Sequence, residues 1–420
     1  MRYITVLILF GIGTALAAQS FIWAACMFLW NNIFQPMGFA YSHDSLPVAK
    51  YVFWVLIISY IVNFARGILR PSMNLMIVMS TVFLAWLFVC TLYSPFQNVV
   101  WNEYMVIIKY TIPLMIISSG LTFYKDILLI SATLMVSVGI WSSQGGVKGL
   151  LSGVTANMAI RYGQMSDNND FMAAAVGILP MLLFFSMNYT GKYRIPVRGI
   201  LYILSGLTMT AIVFSNSRGA VVGVLGLILF YLFVTSERKV RDTVILSVIL
   251  IITSLLLPAS FWERMGTIEL SLDYQTEASA TSRLHLMKSG IACIADHPIF
   301  GVGPNSWIYV SEQYSGLDSE PHSAYIKLAA ESGLVGLGIF ILFFGLTIWR
   351  LLIHRKRLKY NHNDEQAKFS LALALVLIGL AITFAFLNHP YSEFLWAWLG
   401  ISNAFLTLAN QQQQVSFFVA

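Results

Sequence analysis

The chain has 420 residues, of which 58% are hydrophobic and only 10% charged, with a mean hydropathy of +0.74 and a formal net charge of +6. This composition excludes an ordinary soluble globular protein. No basic run is interleaved with aromatic residues, so the charge does not indicate nucleic-acid binding and is expected mainly to orient the chain in a membrane.

The first apolar run covers 3–32 and follows Arg2. It continues past Gln19 and Ser20 without the cleavage pattern of a signal peptide, so we interpret it as a retained membrane segment. It forms either one long tilted or broken span, or two short spans that meet at Gln19 and Ser20.

Eleven further apolar stretches are long enough, or nearly so, to cross a bilayer as helices. They lie at roughly 51–67, 74–93, 105–121, 127–143, 171–188, 199–214, 219–235, 243–259, 331–352, 369–387 and 394–409. We therefore predict an all-α polytopic membrane protein. It has about twelve transmembrane helices if 3–32 crosses once, and thirteen if it crosses twice.

Basic residues predict how these spans are oriented. Most of the 25 Lys and Arg residues lie at Arg2 and in short connections at 66–70, at Lys125, at 192–198, at 238–241 and at 350–368. Such connections mark the cytoplasmic side of a membrane protein. Both termini are then cytoplasmic if 3–32 crosses once, and the remaining cations lie on the opposite side or just inside it.

This orientation divides the chain into four parts. Residues 1–260 form a transmembrane region of about nine spans, with an external polar connection at 144–170. Residues 261–330 form one large external loop that contains helices and is the predicted catalytic loop. Residues 331–410 hold the last transmembrane helices, and 411–420 form a tail.

Two arginines are candidates for an anion site. Arg218 lies between two spans at the external face, near a helix N-terminus, where backbone N–H groups and the guanidinium both favour a phosphate oxygen. Arg283 and Lys288 lie in a segment with apolar residues at helical spacing, which predicts a helix lying on the membrane. Each of these cations also fits the ordinary role of reaching lipid headgroups.

His322 is the best acid–base candidate among the seven histidines. Pro321 suits the first turn of a helix that continues until Gly333 can stop it. The positive end of that helix dipole would favour the neutral imidazole, the form that accepts a proton. The alternative is a capping or surface histidine. His389 lies in an external connection without a clear partner motif.

No cofactor or metal site is predicted. The scattered cysteines Cys26, Cys90 and Cys293 indicate neither a disulfide framework nor a metal site. Asp167 and Asp170 either cap the span that starts at Phe171 or bind a cation. The turn at 301–305 lacks the lysine of a phosphate-binding loop.

Several short motifs together resemble the O-antigen ligase superfamily, which includes O-antigen ligases, polysaccharide polymerases and bacterial protein O-oligosaccharyltransferases. The hydrophobicity and the single large late loop match along nearly the whole chain. The motifs that carry the resemblance are Ser217-Arg218-Gly219-Ala220, Arg283, Asp296-His297-Pro298-Ile299-Phe300-Gly301-Val302-Gly303, Pro321-His322-Ser323 and Glu331-Ser332-Gly333. Asp167-Asn168-Asn169-Asp170-Phe171 is similar to a motif of exosortase-associated O-glycosylation ligases.

The resemblance implies an enzyme of the GT-C type in the bacterial inner membrane, with its active site facing the periplasm. Such an enzyme moves a glycan from undecaprenyl diphosphate to an acceptor hydroxyl without metal or nucleotide. Carried over to this chain, Arg218 and Arg283 hold the diphosphate and His322 activates the acceptor.

Further donor contacts are predicted from residues expected on the same side of the membrane. These are Lys109, Arg161, Lys288, Asn305 and Tyr325. The expected partners are the lipid-linked donor, a lipid A–core or another hydroxyl acceptor, and membrane lipids, with no nucleic acid. A flippase or exporter of lipid-linked glycans is the rival from a different class, but it should place its cations along a cavity through the membrane.

Overall fold

The computed structural model of the protein describes residues 2–36, 48–152, 167–215, 217–236, 238–256 and 280–419. Every regular element within these ranges is helical. In chain order the helices are α1 (Arg2–Gln19), α2 (Phe21–Leu29), α3 (Val48–Ala65), α4 (Leu75–Tyr93), α5 (Gln97–Gly120), α6 (Tyr124–Ser152), α7 (Asn168–Asn188), α8 (Arg194–Phe214), α9 (Arg218–Phe230), α10 (Lys239–Leu256), α11 (Ala280–Asp296), α12 (Ile308–Ser315), α13 (Ala324–Tyr360), α14 (Asp364–Phe384) and α15 (Glu393–Val419). The π-helical turns Trp30–Phe34 and Tyr231–Thr235 extend α2 and α9.

Nine helices in the described part of the chain are long and apolar enough to cross a membrane, namely α3 to α9, α13 and α14. The predicted class, an all-helical membrane protein with many spans, is therefore confirmed. Helices α10 and α15 also form at the predicted stretches 243–259 and 394–409, although they are not among the nine. The total of about twelve spans stays a prediction.

Helices α1 and α2 form an antiparallel hairpin. The chain turns at Ser20, which is extended with φ −154° and ψ 135°. The ring centroids of Phe10 on α1 and Trp30 after α2 lie 5.6 Å apart, which a continuous helix cannot achieve because it rises about 1.5 Å per residue. One long span over 3–32 is therefore wrong, and two short helices meeting at Ser20 is right.

The hairpin also places the start of the chain at the end of the bundle opposite to the one predicted for Arg2. Asn32 Nδ2 donates to Glu393 Oε1 over 2.7 Å, so the end of α2 lies beside the start of α15. Phe21, at the other end of α2, lies against Gly120 at the end of α5. Because α1 is antiparallel to α2, α1 begins at the same end of the bundle as Asn32. The sequence prediction instead grouped Arg2 with the basic connections.

The predicted basic connections do gather at one end of the bundle, which we call the basic end. Lys368 Nζ donates to Asn188 Oδ1 over 3.4 Å, and Arg355 Nη2 donates to the Thr235 carbonyl over 3.0 Å. These contacts join the start of α14 to the end of α7, and the last turns of α13 to the π-helical turn after α9. The opposite end, with the N-termini of α7 and α9, is the site end.

Helices α7 and α14 form the centre of the bundle. Of the apolar stretch of each helix, 67% is buried in α7 and 72% in α14. Small residues allow the close approach: a Cβ on Gly177 of α7 would lie 3.2 Å from Leu380 of α14. Likewise, a Cβ on Gly223 of α9 would lie 2.5 Å from Thr383 of α14. In a bilayer, association of helices depends on such backbone-to-backbone packing. The three tightly packed helices give the site end a rigid base.

Helix α13 is broken at Gly333, as the sequence predicts. Gly333 has φ 70° and ψ 177°, a conformation that residues with a Cβ rarely adopt. A Cβ there would lie 1.7 Å from the Ile299 carbonyl oxygen. The Leu334 N–H donates to the Pro298 carbonyl over 2.8 Å, so the turn at 298–303 lies against the break. The short first part of α13 is thereby directed into the site end.

Candidate active site at the ends of α7, α9 and α13

Arg218 is the first residue of α9, as predicted, and is half-buried. Ser217 caps the helix by accepting from the Ala220 N–H over 3.4 Å, and its hydroxyl donates to Asn169 Oδ1 over 2.9 Å. Asn168 Nδ2 donates in turn to the Ser215 carbonyl over 3.0 Å. The N-termini of α7 and α9 are therefore joined, and Arg218 directly follows this joint.

The connection between α14 and α15, residues 385–392, contacts three site elements; we call it the bridging connection. At its start, Phe386 lies against α9, where a Cβ on Gly219 would be 2.7 Å from the Phe386 Cβ. Asn388 Nδ2 is 3.3 Å from Nδ1 of His322. His389 Nε2 is 3.0 Å from Asp170 Oδ2 on α7. This one connection brings together the elements that carry Arg218 and His322.

His322 lies before α13, not in its first turn. The helix starts at Ala324, with the extended residue Ser323 at the N-cap position. His322 has φ 51°, in the left-handed region. The predicted start at Pro321 is therefore too early, because the left-handed turn at His322 separates the proline from the helix. The imidazole is half-buried beside the bridging connection.

A buried charge network holds the start of α13. Lys327 Nζ donates to Glu320 Oε1 over 2.9 Å and to Asn305 Oδ1 over 3.0 Å, and it lies 3.8 Å from Glu331 Oε1. The side chains of Lys327 and Glu331 are 3% and 0% exposed. Asn305 Nδ2 also donates to Glu103 of α5 over 2.7 Å. Charges so deeply buried are stable only when paired and hydrogen-bonded, so the network fixes α13 against α5 and the turn at 301–305.

Helix α11 carries Arg283 and Lys288 and packs on the start of α13. A Cβ on Gly290 would lie 2.4 Å from Ile326 and 3.7 Å from Pro321, the residue before His322. Arg283 is half-buried, two helical turns before that contact, and Lys288 is exposed. Leu284 and Ile291 are 49% and 57% exposed on the outer face, the pattern predicted for a helix lying on a membrane.

The remaining predicted donor contacts lie elsewhere or are used inside the protein. Lys109 is exposed on the outer face of α5, away from the buried network. The Tyr325 hydroxyl donates to the Ala381 carbonyl over 2.7 Å, and the Asn305 amide is used by Lys327 and Glu103. Arg161 lies outside the described residues.

The two aspartates of the 167–170 motif have different roles. Asp167 caps α7, accepting from the Asn169 N–H over 2.7 Å, which confirms the capping interpretation for this residue. Asp170 pairs with His389 and is 8% exposed. Within the ranges that the structure describes, no three His, Cys, Asp or Glu side chains cluster as metal ligands would.

Sequence reasoning missed Asp170, Asn388 and His389 as parts of the site, and it missed the Lys327–Glu331 pair. The two halves of each contact across the bundle lie far apart in the chain, so no local spacing reveals them. One signal was present: Glu331 and Lys327 are four residues apart on a predicted helix, where opposite charges meet.

The ion pair affects the protonation of His389, which lies outside the membrane-spanning segments. Burial disfavours the protonated ring, but the hydrogen bond and charge of Asp170 outweigh burial and raise the pKa of His389 above its ordinary value. The side chain of His389 is 45% exposed and lines a cleft with Leu387 and Ser392. A protonated His389 therefore forms an ion pair with the Asp170 carboxylate, and the pair as a whole is neutral.

The positions of Arg218 and His322 suit a reaction in which one substrate is an anion and a proton is removed from a reacting group. The guanidinium of Arg218, at the N-terminus of α9, can compensate negative charge on such a substrate. The imidazole of His322, which contacts the same bridging connection, can accept a proton.

Two parts of the chain match known protein families. Residues 201–341 match a family model described as O-Antigen ligase, which covers most of α8, α9 to α12 and the first half of α13. Residues 1–190 match a family of unknown function (DUF5935). No curated protein matches the chain.

Proposed function

From the match of residues 201–341 to the O-antigen ligase family model, we propose that the chain is a membrane glycosyltransferase of the O-antigen ligase superfamily. It moves a glycan from undecaprenyl diphosphate to an acceptor hydroxyl. The acceptor we favour is lipid A–core, so the product is lipopolysaccharide carrying O-antigen. The site end faces the periplasm of a bacterial inner membrane.

The single observation that carries this proposal is the bridging connection. It contacts α9 beside Arg218 through Phe386 and approaches His322 through Asn388 at 3.3 Å. A phosphate-binding cation and a proton acceptor are thus held by the same short segment. Both belong to residues 201–341, the part that matches the O-antigen ligase family.

The proposed reaction is one displacement at the anomeric carbon of the donor sugar. His322 takes the proton of the acceptor hydroxyl as its oxygen bonds to that carbon. The bond from the carbon to the diphosphate oxygen breaks, and the electron pair leaves with the diphosphate. Arg218 and Arg283 compensate the charge that the leaving group gains, since electrostatic stabilisation is the main requirement once the leaving group is good.

Two other reactions use the same chemistry with a different acceptor. The hydroxyl of a second glycan gives a polymerase, and a protein serine or threonine gives an O-oligosaccharyltransferase. Lipid A–core is favoured because the external loop, about 70 residues by sequence, carries no appended domain to recruit a protein. A flippase or exporter is disfavoured because Arg218 and His322 gather at one end of the bundle.

A strain lacking the gene tests the acceptor. We expect lipid-linked polymer to accumulate and surface lipopolysaccharide to migrate as bare core, and His322→Ala should reproduce this pattern. Core capped with one repeat unit identifies a polymerase. Intact lipopolysaccharide with loss of a glycoprotein identifies a protein glycosylation ligase.

A further inference from the structure

The contact between His322 and Asn388 has two hydrogen-bonding solutions. Asn388 Nδ2 lies 3.3 Å from His322 Nδ1, so in this orientation the amide donates and Nδ1 accepts. A neutral imidazole then carries its proton on Nε2. Turning the amide by half a turn puts Oδ1 at the same place, where it accepts from Nδ1–H.

The two solutions differ in which nitrogen is basic. With the proton on Nδ1, the lone pair lies on Nε2, at the far side of the ring from Asn388. With the proton on Nε2, the lone pair lies on Nδ1 and is used by the asparagine. Only the tautomer with its proton on Nδ1 can take a proton from an acceptor hydroxyl while the asparagine contact is kept.

The surroundings fix where Asn388 lies but not which way its amide turns. His389, the next residue, is tied to Asp170 at 3.0 Å, and Phe386, two residues earlier, lies against Gly219. Asn388 Oδ1 is buried and accepts no hydrogen bond from the described residues. No hydrogen bond from the described residues therefore holds the amide in one orientation, and the orientation of the amide and the tautomer of His322 change together.

We propose that Asn388 is a positioning residue for His322: its Oδ1 accepts the Nδ1–H, which orients the ring and leaves Nε2 as the base. This role rests on the proposed function, because it takes His322 as the group that activates the acceptor. The His389–Asp170 pair holds Asn388 in reach of the ring.

Other charged groups on the surrounding elements also influence the imidazole. They are Arg218 on α9, Asp167 and Asp170 on α7, His389 in the bridging connection, Glu320, Lys327 and Glu331 at the start of α13, and Arg283 and Lys288 on α11. A test must therefore change Asn388 alone and leave these groups in place.

The first test does not need the enzyme to be active. The rate at which diethyl pyrocarbonate modifies His322, followed by mass spectrometry of the peptide across pH, reports the protonation of this ring in the full chain. Asn388→Asp puts a carboxylate on Nδ1 and should move the midpoint upward by about one pH unit or more. Asn363→Asp is the matched control, because Asn363 caps the other end of α14. An equal midpoint in both variants would overturn the contact.

The second test separates acceptance from donation. An aspartate can only accept from Nδ1–H, so Asn388→Asp should keep most of kcat while its acid limb moves to higher pH. Asn388→Ala should lose about 10- to 100-fold in kcat with the KM for the lipid-linked donor unchanged, which is less than the roughly 100- to 10,000-fold that general-base catalysis supplies, because His322 itself remains. The proposal is overturned if Asn388→Asp is as inactive as Asn388→Ala at every pH, or if Asn388→Ala matches wild type.

The two proposals fail in different ways. If wild type transfers no glycan to any hydroxyl acceptor, the proposed function is wrong. The modification midpoints of His322 still decide whether Asn388 controls the ring.

Discussion

Arg218 combines two sources of positive potential at one position. It is the first residue of α9, so the positive end of that helix dipole and the guanidinium lie together. A guanidinium can grip two phosphate oxygens at once, whereas an ammonium is a point charge.

We therefore expect Arg218→Ala to lower transfer by about 100- to 1,000-fold, the usual loss on removing one donor to a developing anion. Arg218→Lys should recover little of this loss, although both variants should accumulate normally in the membrane. The matched control is Arg198→Lys at the basic end, where Arg198 Nε donates to the Tyr189 carbonyl. Full activity in Arg218→Lys would refute the two-oxygen grip.

The Asp170–His389 pair makes a pH-dependent contribution to stability. The folded-state pKa of His389 lies above its ordinary value, so the stabilisation is complete below about pH 6.5, while Asp170 is ionised, and is lost as pH rises through the folded pKa. Asp170→Asn should lower the melting temperature most near about pH 6, and the difference should shrink toward about pH 9.

Asp167→Asn is the control for this prediction. It removes a carboxylate three residues away but keeps a good N-cap residue on α7. Its melting temperature should change little, and equally at both pH values. A difference for Asp170→Asn that does not depend on pH would show that the pair is not what stabilises this end of α7.

At the scale of elements, the break in α13 directs His322, the proposed base. Gly333 is left-handed, and any Cβ there would overlap the Ile299 carbonyl. The first part of α13, which follows His322, depends on this break for its direction. A continuous helix would swing His322 away from the bridging connection.

Gly333→Ala should therefore destabilise the protein by more than about 2 kcal/mol, because it adds a backbone clash to an unfavourable φ. Gly338→Ala lies on the same helix, where a Cβ meets nothing within 4 Å. It should be neutral or slightly stabilising, since alanine favours a helix. Thermal unfolding in detergent, monitored by size-exclusion chromatography, compares the two variants. Equal unfolding midpoints for Gly333→Ala and Gly338→Ala would contradict the role of the break.

The elements show which parts of the fold a sequence can specify. Hydrophobic length located α3 to α10 and α13 to α15, because a span must bury its backbone in one continuous apolar stretch. The hairpin of α1 and α2 stayed ambiguous, since an apolar run reads alike whether it is straight or turned at Ser20. The pairing of Asp170 with His389 could not be predicted, because contacts across the bundle leave no local pattern.

Part of the candidate site could be predicted for a related reason. Arg218 lies at a helix end marked by its cap residue Ser217, and His322 lies just before a helix that breaks at Gly333; cap residues and glycines of this kind are recognisable in a sequence. Asn305 and Tyr325 carry suitable polar groups, but the folded chain uses those groups for its own hydrogen bonds. Composition shows what a side chain can bind, and only the packing shows what it already binds.

For the molecule as a whole, the proposed function requires the site end and the basic end of the bundle to lie on opposite sides of the membrane. All three native cysteines are buried, so single added cysteines can be labelled against a low background. In intact cells with a permeable outer membrane, Glu312→Cys on α12 should react with an impermeant maleimide. Asn361→Cys at the basic end should react only after lysis. Both positions are exposed in the folded protein. The reverse labelling pattern would show that the site end faces the cytoplasm, contrary to the proposal.

The most direct test of the account is transfer by the purified protein. Wild type in detergent, given undecaprenyl-diphosphate glycan and lipid A–core, should release undecaprenyl diphosphate and form the glycosylated acceptor, and His322→Ala should do neither. Detergent removes the two compartments that transport needs, so a flippase scores nothing in this measurement. Product that forms equally with His322→Ala, or a folded wild type that consumes no donor with any hydroxyl acceptor, would contradict the central claim.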